Sequence, residues 1–322
     1  MNKFRVYLAP MEGLADAPLR KILCKHGAYD ECFSEFIRVT DIPLSEKTLF
    51  RIVPEGANGF KTADGTPVRV QLLGDNAKVL AQSAQLAENK GALGIDMNFG
   101  CPSRFVHHAG SMLLREKELM HEIVSSLREA LDPKTLLSVK IRAGFADKKE
   151  LADILKAIAI EGVKEITVHC RTRSELYRAE ALDWSILAPM HEICPEITLV
   201  ANGDIVDLNS ALECHKQTLC STLMCGRGAF MTPNLGHVIK EQALPFDDIE
   251  ILKTQIEVME EFIALERPEK TVMDRAKQFL GYARLAHRDL AAFFREFCRL
   301  KTPSEGMAAI EAKLKALESA QN

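Results

Sequence analysis

Eight short apolar runs recur through the first 244 residues, and amphipathic stretches separate most of them. The runs are Val6–Met11, Glu31–Phe36, Arg69–Leu73, Gly94–Phe99, Leu137–Arg142, Glu165–Cys170, Thr198–Gly203 and Thr222–Arg227. Between them, Ala77–Lys90, Glu118–Leu131, Lys149–Glu161 and Leu208–Lys216 carry apolar residues at helical spacing. Strand–helix alternation implies parallel pairing, because a crossover helix returns the chain for a parallel neighbour. Eight such units predict a closed (β/α)8 barrel, a fold of ~250 residues. An open doubly wound sheet fits less well, since no GxGxxG follows the first strand and opens a helix. Ser45–Pro67 has no long helical pattern and reads as an irregular excursion.

After Pro245 the pattern changes. Asp247–Leu265, Thr271–His287, Leu290–Leu300 and Ser304–Leu317 all read as helices, with Pro268 and Pro303 as punctuation. The expected division is therefore a TIM barrel over residues 1–244 and a C-terminal all-helical domain over 245–322. A chain of 322 residues holds enough apolar surface for both. No apolar run reaches the ~18 residues of a membrane span, and the N-terminus lacks the marks of a signal peptide. Nine scattered cysteines with no CxxC pair argue against a disulfide framework or a zinc site and suit a reducing cytoplasm. The net charge of −4 speaks against nucleic-acid binding by bulk positive charge. The charge is not uniform, however. Pro245–Glu269 is −6 and Lys270–Lys301 is +5. On one continuous helix Lys270, Lys277, Arg284, Arg288, Arg295 and Arg299 would share a face, although His287-Arg288-Asp289 is a candidate break.

Chemistry in such barrels gathers at the C-terminal strand ends. Several predicted strands carry polar residues at period two: Gln71; Asp96 and Asn98; Lys140 and Arg142; Thr167, His169 and Arg171; Asn202 and Asp204. Each alone is ordinarily a satisfied core group or an ion pair. Together they imply a shared polar ligand or a dense internal network. Asn202-Gly203-Asp204 and Cys225-Gly226-Arg227-Gly228 end the last two strands, the usual phosphate position of this fold. Glycine admits close backbone approach, and Arg227 brings a fixed fork of donors. A phosphate-bearing cofactor fits. Cys101 lies between Gly100 and Pro102 at the end of the fourth strand. Its thiol, with an ordinary pKa near ~8.5, is protonated at neutral pH and can act as a general acid. The remaining cysteines read as small buried hydrophobes. Lys140 reads as a charge stabiliser or as an ion-pair partner of Asp96 or Glu35. His169 reads as a donor to a ring acceptor or as a core histidine. His107-His108 has no accompanying carboxylate cluster and reads as a loop feature, not a metal site.

Seven motifs stand in the order found in tRNA-dihydrouridine synthases, and the chain resembles that family over its whole length. They are Ala9-Pro10-Met11-Glu12-Gly13, Val70-Gln71-Leu72-Leu73-Gly74, Asn98-Phe99-Gly100-Cys101-Pro102-Ser103, Val139-Lys140-Ile141-Arg142, Val168-His169-Cys170-Arg171-Thr172, Asn202-Gly203-Asp204-Ile205 and Cys225-Gly226-Arg227-Gly228-Ala229. Ser34–Val39, Tyr177-Arg178-Ala179-Glu180, Asp183-Trp184 and Arg275-Ala276-Lys277-Gln278 resemble the bacterial C subfamily, which modifies uridine 16 in the D-loop. The resemblance implies an FMN enzyme that uses NADPH. Reduced flavin gives hydride to C6 of uracil, and the cysteine at position 101 protonates C5. By similarity, Pro10, Met11, Glu12 and Gln71 line the isoalloxazine, and Lys140 and His169 contact the ring system. Asn202, Gly203, Asp204, Gly226 and Arg227 hold the ribityl and phosphate end. On the tRNA side it implies Arg38, Asn98, Arg142, Tyr177, Arg178, Arg275 and Lys277. No metal and no membrane partner are implied, and a monomer is expected. The sequence departs from the family at Cys170, Cys225 and Asp204, and in a shortened Arg104–Leu114 loop.

Two other readings compete. One is an FMN barrel acting on a free small molecule, like dihydroorotate dehydrogenase. It has no need of a helical appendix with a basic run. The other is a non-enzymatic tRNA-binding protein, against which the intact Cys101, Lys140, His169 and Arg227 set speaks.

Overall fold

A computed structural model of the chain describes residues 3–103 and 108–321. Strand β1 (Arg5–Leu8) is followed by α1 (Ala17–Gly27), capped by Asp16 and carrying Pro18 in its first turn. The second apolar run forms two short strands, β2 (Glu31–Phe33) and β3 (Ile37–Arg38), not the single strand expected over Glu31–Phe36. The break has a local cause. The Gln71 amide donates to the Ser34 hydroxyl at 3.0 Å, so a side chain replaces a backbone acceptor there. The excursion over 45–67 holds a seven-residue helix, α2 (Glu46–Ile52), a 3-10 turn and an antiparallel bridge between Lys61 and Pro67. Buried Arg20 anchors it through a two-pronged pair of hydrogen bonds to Glu55, both 2.9 Å.

The alternation then runs as the sequence predicts: β4 (Val68–Leu73), α3 (Ala77–Asn89), β5 (Gly94–Phe99), α4 (Lys117–Ala130), β6 (Leu136–Arg142), α5 (Leu151–Ile158), β7 (Val163–His169), β8 (Thr198–Asn202), α6 (Leu208–Thr218) and β9 (Thr222–Cys225). Between β7 and β8 the crossover is a 3-10 helix, Trp184–Glu192, containing Pro189. All the pairings between these strands are parallel. The β9–β1 and β2–β4 contacts close the ring, with β2 and β3 together forming one of eight staves.

Register sorts the interior into layers. Gln71, Asp96, Ser138 and Glu165 lie side by side in successive strands, as do Arg142, His169, Asn202 and Met224. Residues between them, such as Ile95, Met97, Val139, Ile141 and Val168, are fully buried on the other side. The barrel floor is an ionic plug. Arg69 donates to Glu165 at 2.6 Å and to Glu31, and Tyr7 donates to Glu165 at 2.8 Å.

Helices α7 (Arg227–Met231) and α8 (Leu235–Ile239) follow the last strand. Helix α9 (Asp248–Ala264) opens with a capping box from Asp247 and Glu250, and α10 (Glu269–Ala283) begins at Pro268. Helices α11 (Leu290–Phe297) and α12 (Pro303–Gln321) complete the chain. One continuous apolar core runs from the barrel's outer wall through Phe262 and Phe279 to Ile310. Helix α10 ends before Arg284, so the six cations do not share one continuous helix. Lys270, Arg288, Arg295 and Arg299 are exposed. Arg284 lies over the Phe294 ring, and Lys277 donates to the Leu300 carbonyl at 2.8 Å. Two of the acids on this region's first helix reach back to the barrel wall. Glu261 and Glu257 on α9 pair with Lys21 and Lys25 on α1 at 2.6 and 2.9 Å.

Candidate active site

The polar residues of five strands meet at the mouth of the barrel, and a buried chain of hydrogen bonds leads to Cys101. Ser138 and Gln71 donate to Asp96, the latter at 2.6 Å. Asn98 donates to the Gln71 carbonyl at 2.8 Å. Its own carbonyl accepts the Gly100 and Cys101 amides at 2.8 and 3.0 Å. The turn carrying the thiol is thus set by a side-chain chain that runs through the barrel. A second grip comes from outside. Ser111 donates to the Cys101 carbonyl through its amide (3.0 Å) and its hydroxyl (2.7 Å). Gly110, at φ +58°, lies so close that a Cβ would meet the Cys101 carbonyl at 2.9 Å. Sequence reasoning does not assign Gly110, Ser111 or Ser138 to the site. Only the Gly-Ser step after the loop hints at the first two. The Arg104–Leu114 loop lies in part outside the described residues, and His107 with it.

Cys101 is half-buried, whereas seven of the other eight cysteines are buried. Burial pushes its thiol above the ordinary range. Lys140 donates to the Asn202 carbonyl at 3.2 Å, and its hydrogen bond goes to neither Asp96 nor Glu35. Burial, with Arg142 beside it, lowers the Lys140 ammonium to about 8. Burial also holds His169 well below the usual histidine range, helped by Arg142 and Lys140, so the imidazole is neutral at pH 7. Its Nδ1 is buried with no hydrogen-bond partner within the protein.

The last two strand ends meet on Asp204, which takes Arg171 on one oxygen and Arg227 on the other. Burial works to raise this carboxyl, and the two guanidiniums outweigh it, so it stays below its usual value. Trp184 donates to the Gly203 carbonyl at 3.1 Å and fixes the first turn. Gly226 lets Met11 approach closely, since an added Cβ would lie 3.3 Å from its sulfur. The sequence places Arg171 in the strand-end polar set without a specific role; it is fully buried and ties Asp204 to the Arg178 carbonyl. Its place two residues beyond His169, just past the end of β7, is the signal that puts it there.

The expected substrate-side residues separate into two groups. Arg142 donates to the carbonyls of Gly100, Thr172 and Leu176 and lies under the Tyr177 ring. It is therefore a brace between the cysteine turn and the 171–177 loop. Tyr177 is 54% exposed, between Arg142 and Arg227, and stands over the mouth with Arg178 exposed beside it. Arg38 and Arg51 line a cleft of about 290 Å³ that reaches Glu12 and Ser103. Arg275 and Lys277 are both engaged by the protein itself. Arg275 pairs with Asp16, and Lys277 bonds to Leu300. Pro10 and Met11 are half-buried after β1, and Glu12 is exposed. No group of three or more potential metal-ligating side chains occurs among the described residues.

A parallel (β/α)8 barrel with a polar mouth, a fixed thiol and two Gly-bearing turns joined through Asp204 and Arg227 has the form of a barrel enzyme. The comparisons narrow the class. Residues 7–321 match the family described as dihydrouridine synthase (Dus), and the chain belongs to that family. A tRNA-dihydrouridine(16) synthase of Haemophilus ducreyi is 40% identical over 90% of this chain and 89% of its own length. A protein of the same name from Salmonella typhimurium is 36% identical over 96% of this chain and 99% of its own. Among solved structures, histamine dehydrogenase from Rhizobium sp. 4-9 superposes with a TM-score of 0.56 at 12% identity, over 80% of this chain and 48% of that one. A ligand-free DHODH from Eimeria tenella gives 0.52 at 14%, over 74% and 82%. These two likenesses show the barrel alone.

Proposed function

We propose that this chain reduces uridine to 5,6-dihydrouridine in tRNA, at position 16 of the D-loop, with FMN as resident cofactor and NADPH as reductant. The carrying observation is the buried chain Ser138–Asp96–Gln71–Asn98, which fixes Cys101 at a mouth where the buried His169 Nδ1 has no partner within the protein. The names of the relatives supply the substrate.

The residues present fit the cofactor. The buried, orphaned His169 Nδ1 and the half-buried Lys140 ammonium would offer polar contacts to a flavin ring. Pro10, Met11, Glu12 and Gln71 would flank that ring. Asn202, Gly203, Asp204, Gly226 and Arg227 would hold the ribityl chain and phosphate, with Asp204 keeping Arg227 in place. When bound and reduced, the flavin supplies hydride to C6 of uracil. Cys101 completes the addition by giving its thiol proton to C5, so the C5–C6 double bond becomes two C–H bonds and the thiolate regains a proton from solvent. The raised thiol keeps that proton available at neutral pH. Asn98 has a second amide hydrogen for a uracil carbonyl, where negative charge builds. The uridine must leave its stack to reach this depth.

Arg38, Tyr177 and Arg178 are exposed, and in this reading they would meet the RNA. Arg142, Arg275 and Lys277 serve the same side indirectly, by bracing the loop and helix that face it. Residues 1–244 carry the flavin chemistry in this scheme, and 245–322 dock the tRNA. The protein acts as a monomer, without a metal, in the cytoplasm. No helix among the described residues is long and apolar enough to cross a membrane. Purified protein should be yellow, with a flavin absorption band. Colourless protein that cannot be loaded with FMN would defeat the cofactor assignment.

A further inference from the structure

The loop after β1 is held from outside the barrel. Leu14 and Ala15 return their amides to the Met11 carbonyl at 3.1 and 2.9 Å, closing a tight turn. Gly13 takes φ +68° in it and donates to Glu35 at 2.6 Å. The outward-facing Gly13 carbonyl is taken by α10. Arg275 donates to it, pairs with Asp16 and lies over the Phe262 ring; Gln278 adds a second donor at 3.1 Å. Arg275 and Gln278 are themselves joined at 2.6 Å. The Arg275 side chain is only 13% exposed. A guanidinium so engaged has few donors left for a phosphate. On the other side of the same turn, Met11 packs against Gly226.

We infer that Arg275 is a positioning residue. It clamps the 11–16 turn from α10, so the seating of that helix sets where Met11 and Glu12 stand at the flavin edge. Gln278 is the second jaw, and Asp16, which also caps α1, is the fixed anchor. The helix that presents Lys270 to solvent and the loop that borders the cofactor therefore move as one piece. The inference rests on the FMN reading for its functional meaning, but the clamp itself does not.

Backbone amide exchange in FMN-free protein reads the clamp directly, and FMN titration into the same preparations reads its consequence. In Arg275→Ala the amides of Gly13, Leu14 and Ala15 should exchange about tenfold faster, with FMN bound about tenfold more weakly. Arg275→Lys keeps the charge opposite Asp16 and should restore part of both. Gln278→Ala removes the outer donor alone and should shift both in the same direction by less. It decides the matter if Arg275→Ala unfolds globally. Unchanged exchange and unchanged FMN affinity in Arg275→Ala, with tRNA affinity reduced, would overturn the clamp and make Arg275 a phosphate ligand. Wild-type protein that takes up no FMN would instead defeat the cofactor reading, while the exchange data would still judge the clamp.

Discussion

Cys101 differs from its eight fellow cysteines in how it is held. Asn98 sets its turn from inside the barrel, and Gly110 and Ser111 close on its carbonyl from outside. Its flanking Gly and Pro and the nearby Asn98 are visible in the sequence; the outer half of the grip is not, because Gly110 and Ser111 return to it from about ten residues further on. Cys101→Ala should bind tRNA normally and lose roughly 10²–10⁴-fold in dihydrouridine formation, the worth of a general acid, when single-turnover rates are measured. Undiminished turnover would remove the acid role. Lys140 carries the clearest pH signature. Its side chain stays protonated in the folded protein only below about 8. The charged form attracts an anionic cofactor, so FMN affinity for the apoprotein should fall as pH rises through about 8. Lys140→Met should flatten that step. Stability moves in the opposite sense: the lowered folded value is a penalty at neutral pH, and it fades as pH rises from the folded towards the unfolded pKa. An unaltered affinity profile in the variant would place the titrating group elsewhere.

Among the elements, the strands are the easiest to read from sequence and the turns the hardest. Period-two polarity identifies the inward sides of β4 to β8 because parallel register leaves no other arrangement for those residues. The split of the second stave is hidden, since it depends on the Ser34 hydroxyl meeting one Gln71 amide. The turns after β8 and β9 are visible as Gly-bearing motifs, but their mutual contact is not. A Cβ on Gly228 would lie 2.3 Å from the Ile205 carbonyl. Gly228→Ala should therefore force the two turns apart, weakening FMN binding and lowering Tm together in a calorimetric titration series. Intact affinity would show that the turns do not cooperate. The floor plug makes a separate claim. Glu165 is one of two acids on buried Arg69, so Glu165→Leu should cost roughly 3 kcal/mol in denaturant unfolding. A change near zero would mean that Glu31 suffices.

At the scale of the molecule, a net charge of −4 conceals an uneven distribution of charge along the chain. Glu257 and Glu261 of α9 are used against α1, while Lys270, Arg288, Arg295 and Arg299 face solvent. Segment charges make a basic face legible; they do not show that Arg275, Lys277 and Arg284 are held by the protein itself. Lys270→Glu, Arg288→Glu, Arg295→Glu and Arg299→Glu together should weaken tRNA binding, with the salt slope falling by about 0.7–0.9 for each phosphate no longer neutralised. Flavin reduction by NADPH should be spared, and an equal drop in both would indicate misfolding. On the proposed reading the chain length divides in the same way, into a barrel that would perform the chemistry and helices that would present RNA to it. The most direct test of that whole arrangement is position-resolved mapping of dihydrouridine in unmodified tRNA incubated with the purified protein, FMN and NADPH. Dihydrouridine at position 16 alone is the expected result. Its absence, or its formation at another uridine, would contradict the assignment.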